Sequence, residues 1–119
     1  MIAIIDDDAS IRAGIESFIE SHGFPAQSFA SAENFLHTAN FDLLDCVVTD
    51  INMRGMSGVD LQKIIKASHS RIPVIVMTAL SNRVLRENVM ASGAEGFFIK
   101  PFQITDLMRQ IEIALHKAN

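Results

Sequence analysis

Apolar residues in this chain fall into short unbroken runs, and the segments between them carry helical spacing. The runs are Ile2-Ala3-Ile4-Ile5, the stretch from Leu44 to Thr49 interrupted by Asp45, Val74-Ile75-Val76-Met77, and Phe97-Phe98-Ile99. Such runs, three to six residues long and mostly rich in β-branched side chains, predict strands covered by helices on both faces. Between the first two, Ile11, Ile15, Phe18 and Ile19 line one face of a helix from about Ser10 to His22. Gly23 is its stop, and Pro25 opens a short edge strand through Phe29. Ser31 offers an N-cap for a second helix to about Ala39. After the third strand, Leu44–Thr49, a loop from Asp50 to Ser57 leads to a helix ending near Ser68, with Leu61, Ile64 and Ile65 facing inward. The fourth strand, Val74–Thr78, precedes a weakly patterned helix from about Asn82 to Ser92 that Gly93 ends. Gly96–Ile99 is the fifth strand. Ile104, Leu107, Met108, Ile111 and Leu115 then form the stripe of a last helix, used up as the chain reaches Asn119.

Strand and helix alternate throughout, which predicts an α/β fold with a parallel sheet. The right-handed crossover rule leaves few ways to assemble it. In the doubly wound order 2-1-3-4-5 the switch point falls between strands one and three, and ligands bind there, beyond the carboxyl ends of the strands. The four runs end in Asp6-Asp7, Asp50, Thr78 and Lys100-Pro101. One edge of the sheet would therefore collect three carboxylates, a hydroxyl and an ammonium.

That collection suits a divalent cation together with a phosphoryl group. Mg²⁺ takes one or two carboxylates and keeps several waters, so Asp7 and Asp50 are candidate direct ligands, with Asp6 acting directly or through water. Crowded carboxylates repel, and a bound cation relieves the cost. Capping of the helix near Ser10 accounts for one of Asp6, Asp7 and Asp8 but not for Asp50. Asp50 is the candidate nucleophile, since a carboxylate can hold an acyl phosphate. Phosphoryl transfer asks mainly for alignment and charge neutralisation, which Lys100 would share with the cation, while Thr78 would donate its hydroxyl. Lys100-Pro101 is a candidate cis peptide.

Composition narrows the classes. With 119 residues, 49% hydrophobic and 20% charged, the chain reads as one globular domain over 1–119. A net charge of −4 gives no footprint for nucleic acid or an anionic membrane, so any DNA contact would belong to something outside the chain. Cys46 stands alone inside an apolar run and reads as core. No basic-then-apolar leader and no apolar stretch long enough for a bilayer occurs, which suggests the cytoplasm. His22, His37, His69 and His116 lack metal-ligand spacing. Met53, Met56, Met77, Met90 and Met108 read as gap-fillers.

Four ordered motifs carry a family resemblance: Ile4-Ile5-Asp6-Asp7-Asp8; Val48-Thr49-Asp50-Ile51-Asn52-Met53 with Ser57-Gly58; Val76-Met77-Thr78-Ala79; and Gly93-Ala94-Glu95-Gly96-Phe97-Phe98-Ile99-Lys100-Pro101-Phe102. The chain resembles a response-regulator receiver domain of two-component signalling over essentially its whole length. It is most similar to receivers that precede LuxR-type helix-turn-helix outputs. The resemblance implies a flavodoxin-like sheet with five helices. It makes Asp50 the phosphoacceptor, fed by a histidine kinase or phosphotransfer protein, and Asp6 and Asp7 the holders of Mg²⁺ with the main-chain carbonyl of Asn52. Thr78 would turn toward the phosphate, Lys100 would pair with it, and Phe97 would swing inward as an aromatic switch. The surface of the fourth helix, fifth strand and fifth helix would then change, for a homodimer or an output domain that controls transcription. One departure stands out: where the family commonly has proline after Met53, this chain has Arg54-Gly55, which should loosen the loop.

Three other functions compete. A Mg²⁺-dependent aspartyl-phosphate phosphohydrolase would want a general acid two residues after the nucleophile, where Asn52 stands. A flavin module would want a hydroxyl- and glycine-rich first loop and stacking aromatics, yet the loop is acidic and Trp and Tyr are absent. A degenerate receiver used only for dimerisation would not need Asp7, Asp50, Thr78 and Lys100 together. A free-standing regulator, a relay domain of a larger kinase and the front of a transcription factor fit the pattern equally.

Overall fold

The computed structural model describes residues 1–80 and 82–117. Its elements are β1 (Ile2–Ile5), α1 (Ala9–Ser21), β2 (Ala26–Phe29), α2 (Ala32–Thr38), β3 (Cys46–Asp50), α3 (Gly58–Ser68), β4 (Val74–Thr78), α4 (Arg83–Ala91), β5 (Gly96–Ile99) and α5 (Ile104–Lys117). The sheet is parallel, as the alternation of elements predicts, and its order β2-β1-β3-β4-β5 is the doubly wound one expected. A 3₁₀ turn at Phe41–Leu43, capped by Asn40, was not foreseen and leads the chain into β3. The expected end of the last helix near Asn119 lies outside the described residues. Among those residues no helix is long and apolar enough to cross a membrane.

Strand side chains alternate between faces, and this splits the core in two. Ala3, Ile5, Val47, Val74 and Val76 pack with Phe35, Leu61, Ile65 and Val89 beneath α2, α3 and α4. Ile2, Ile4, Cys46, Val48, Ile75 and Met77 pack with Ile15, Ile19, Leu107, Met108 and Ile111 beneath α1 and α5. Cys46 is fully buried, and burial, with added repulsion from Glu95 and Asp45, pushes its thiol up to about 12. It is core, not a reactive thiol.

Local chemistry closes the helices at the expected places. Asp8 caps α1, its Oδ1 accepting from the Ser10 and Ile11 amides at 2.9 and 3.1 Å. One of the three leading acids is thus structural. Ser31, Ser57 and Asn82 cap α2, α3 and α4. Gly93, at φ +97°, ends α4 with its amide on the Met90 carbonyl and the Ala94 amide on that of Val89, a Schellman arrangement.

Two side-chain expectations need correction. Ile64 is 38% exposed rather than inward, because Gly58, Leu61, Gln62 and Ile65 form the stripe of α3 that meets the sheet. Gln62 is tolerated inside because its Nε2 donates to the Val89 carbonyl at 3.0 Å, tying α3 to the end of α4. Met90 is exposed, so it fills no gap; on α5 Leu115 packs against the core as expected, and Ala114 beside it is buried as well.

Gly58 sets how closely α3 approaches the end of β3. A Cβ there would lie 2.1 Å from the main-chain oxygen of Asp50. Gly58→Ala should therefore lower the urea midpoint by the equivalent of about 1–3 kcal/mol with an unchanged m-value, as overpacking does.

Candidate functional site

Ile5 pairs with Thr49 across β1 and β3, so the next residues, Asp6 just past β1 and Asp50 at the end of β3, stand side by side. Both are buried, while Asp7 is exposed at the start of the loop to α1. One carboxylate oxygen from each of Asp6, Asp7 and Asp50 lies within 4.8 Å of the other two. On the other side, Thr78 pairs with Ile99, so Lys100 emerges beside the end of β4, its amide on the Thr78 carbonyl at 2.7 Å. The Lys100-Pro101 bond is cis.

The Lys100 ammonium lies 2.8 Å from Asp6 Oδ2 and 3.4 Å from Asp50 Oδ1. Burial pulls the ammonium down, but its hydrogen bond to Asp6 and the charges of Asp50 and Asp6 outweigh that, and the net shift is upward. Asp50 moves up as well. Burial is the main cause and the Asp6 charge the second, with Lys100 only partly opposing them. An acid held above its ordinary range is one whose charge lacks full compensation.

Thr78 is buried at the end of β4, where its Oγ1 accepts from the Leu80 amide at 3.1 Å and keeps its own proton to donate. Phe97 is half-buried on β5 against the cluster beneath α3 and α4. Asn52 is exposed on the loop after β3. Asp6, Asp7, Asp50 and Lys100 thus converge, Thr78 borders them, and Phe97 stands apart on β5. Arg54 is exposed and forms no ion pair among the described residues.

Two neighbours escaped the sequence reading. Arg12, one turn into α1, donates from Nη1 to the Asp6 carbonyl at 3.1 Å. Glu33, in the first turn of α2, accepts from the Met56 amide at 2.9 Å with Oε2. Neither sits in a recognisable motif, because each reaches the site across a loop.

A cluster of three carboxylates from two strand ends offers a hard, oxygen-only site that could bind a metal ion. The model of the response regulator receiver domain family matches residues 2–112. The chain belongs to that family and is the receiver domain of a two-component response regulator. It is 36% identical over 117 residues to the transcriptional regulatory protein FixJ of Bradyrhizobium diazoefficiens, covering 98% of this chain and 57% of that protein. It is 32% identical over 118 residues to the response regulator protein TodT of Pseudomonas putida, covering 99% and 52%. The solved structure of response regulator StyR matches with a TM-score of 0.89 at 33% identity, covering 98% of this chain and 59% of that one. The chain spans about half the length of the curated relatives it matches.

The raised Asp50 pKa has a thermodynamic consequence. Where the folded state binds a proton more tightly than the unfolded chain, stability falls as pH rises through the interval between the two pKa values. In chelator, Asp50→Asn should melt higher than the native protein at neutral pH. The gap should close as the pH falls toward the ordinary carboxylate range, where both forms are neutral. Thermal melts across that range check the sign.

Proposed function

We propose that the chain, read as one domain, accepts a phosphoryl group on Asp50 in a Mg²⁺-dependent reaction and signals by a change of surface. The observation that carries the reading is Asp50 itself: buried at a strand end, grouped with Asp6 and Asp7, and 3.4 Å from the Lys100 ammonium. The donor would be a phosphohistidine on a histidine kinase or phosphotransfer protein. An Asp50 carboxylate oxygen attacks phosphorus in line as the bond to the donor imidazole breaks. Asp6, Asp7 and the Asn52 carbonyl, with Asp50, would hold the ion. When bound, Mg²⁺ neutralises charge on the phosphoryl oxygens.

Lys100 begins shared between Asp6 and Asp50. As negative charge arrives on Asp50, its ammonium follows that charge. Thr78 donates its hydroxyl to a phosphoryl oxygen, and in turning it withdraws the acceptor that holds the Leu80 amide. The loop before α4 is released, and Phe97 moves into the space Thr78 leaves. Leu80, Val84 and Ile99 are 51%, 64% and 41% exposed on the loop before α4, on α4 and on β5. They offer an apolar surface for a second copy or an output domain outside this chain. FixJ's name as a transcriptional regulatory protein supports transcription as the output. Such a domain would work in the cytoplasm without touching nucleic acid or membrane itself.

A small-molecule phosphodonor with Mg²⁺ should add one acid-labile phosphate, visible by intact mass, and Asp50→Asn should take none. Labelling of that variant to the native level would refute the assignment. Lys100→Met should separate two roles. Without the ammonium the carboxylates lose their competitor for a cation, so Mg²⁺ should bind roughly threefold or more tighter. Labelling should nevertheless slow by roughly tenfold or more, because charge on the transferring group is left uncompensated. Calorimetric titration and labelling rates measure the two effects.

A further inference from the structure

The loop that would supply the Asn52 carbonyl lacks a stiff backbone. Residues 51–57 form neither helix nor strand, Met53 is followed by Arg54-Gly55, and Gly55 has φ +78°, a left-handed value that side chains resist. The loop is nonetheless tied down. Arg54 donates its amide to Asp7 Oδ2 at 3.4 Å, Met56 donates its amide to Glu33 Oε2 at 2.9 Å, and the Gly58 amide returns to the Ile51 carbonyl at 2.9 Å.

Of the two ties made by a carboxylate, that of Glu33 is the shorter. It crosses from α2 to the loop, 23 residues along the chain, and it is charge-assisted. The Met56 amide holds the Glu33 carboxyl below its ordinary range, so the group is ionised at neutral pH. Gly55 leaves the room this needs, since a Cβ there would fall 2.2 Å from Glu33 Oε2. An acid in the first turn of α2 also suits the helix dipole, but any orientation of the side chain would serve that purpose. Only the reach to Met56 requires the full length of glutamate.

We propose that Glu33 is a positioning residue: through the Met56 amide it pins the loop after β3 and so sets where the Asn52 carbonyl meets the divalent cation. This rests on the phosphoacceptor reading above. The longer tie, Asp7 to Arg54, uses a carboxylate that the cation would also claim. Glu33 is not a ligand, and its hold on the loop persists when the ion binds. It replaces with a charged latch the rigidity that a proline at position 54 would have supplied.

Two conservative variants separate the latch from the dipole. Glu33→Asp keeps the charge in the first turn but is one methylene too short to reach Met56. Glu33→Gln drops the charge and keeps an acceptor oxygen at the right distance. Amide hydrogen exchange at Met56 in chelator and calorimetric Mg²⁺ titration read the result. In Glu33→Asp, exchange at Met56 should quicken by roughly tenfold and the half-saturating Mg²⁺ should rise about three- to tenfold. Glu33→Gln should stay within about twofold of the native protein on both. The reverse order, with Gln impaired and Asp intact, would make Glu33 a dipole partner only and overturn the proposal. So would an unchanged Mg²⁺ titration in Glu33→Asp. A native protein that takes up no Mg²⁺ would count instead against the phosphoacceptor reading, while exchange at Met56 would still report whether the latch exists.

Discussion

Asp6 and Asp50 are buried neighbours on adjacent strand ends, and one ammonium, that of Lys100, lies between them. Two negative charges taken out of water against a single positive one leave a deficit, which appears as the upward shift of Asp50. A parallel sheet makes this arrangement unavoidable once acids follow the apolar runs, because register brings the residue after Ile5 level with the residue after Thr49. The crevice is thus charged for a second cation before any arrives. The proposed chemistry draws on that imbalance: a metal ion completes the neutralisation, and a phosphoryl group then shifts the ammonium.

The rest of the fold serves to keep those strand ends still while leaving one side able to move. Two complete apolar layers clamp the sheet. Gly58 lets α3 press against the backbone of Asp50, and Arg12 and Glu33 tie α1 and α2 to the loops around the site. The side toward α4 is built more lightly. Val89 is the one fully buried residue of that helix, Leu85 is partly buried, and among the described residues the Thr78 hydroxyl holds the Leu80 amide in front of it. An element with so little buried apolar surface is the one that a small change at the site can displace.

Much of the architecture was legible from patterning, and the misses share a cause. The five strands and the Ser31 cap follow from local signals, run length, alternation and a polar residue ahead of a periodic segment, while the strand order follows from the crossover rule. Ile64 and Gln62 show where that reading breaks down. Hydrophobicity alone points Ile64 inward, but the stripe that meets the sheet is set by how α3 is rotated against β3 and β4, and a hydrogen bond to Val89 lets an amide take the inner place. Arg12 and Glu33 escaped for a related reason, since each matters through a partner's main-chain atom, and backbone atoms carry no sequence signature. The Arg54-Gly55 departure read as a loosened loop; the ties to Asp7 and Glu33 that hold it are visible only in three dimensions.

Sequence alone determined the class of fold and the short set of residues gathered at one edge of the sheet. Strand ends in a parallel sheet must meet, and the polar residue closing each apolar run is plain to read. Tertiary structure decided how those charges share one another, which face of each helix is dry, and what restrains the loop after Asp50. Those outcomes depend on distances of a few ångströms between segments far apart in the chain, where Coulomb energy and hydrogen bonding change steeply with position.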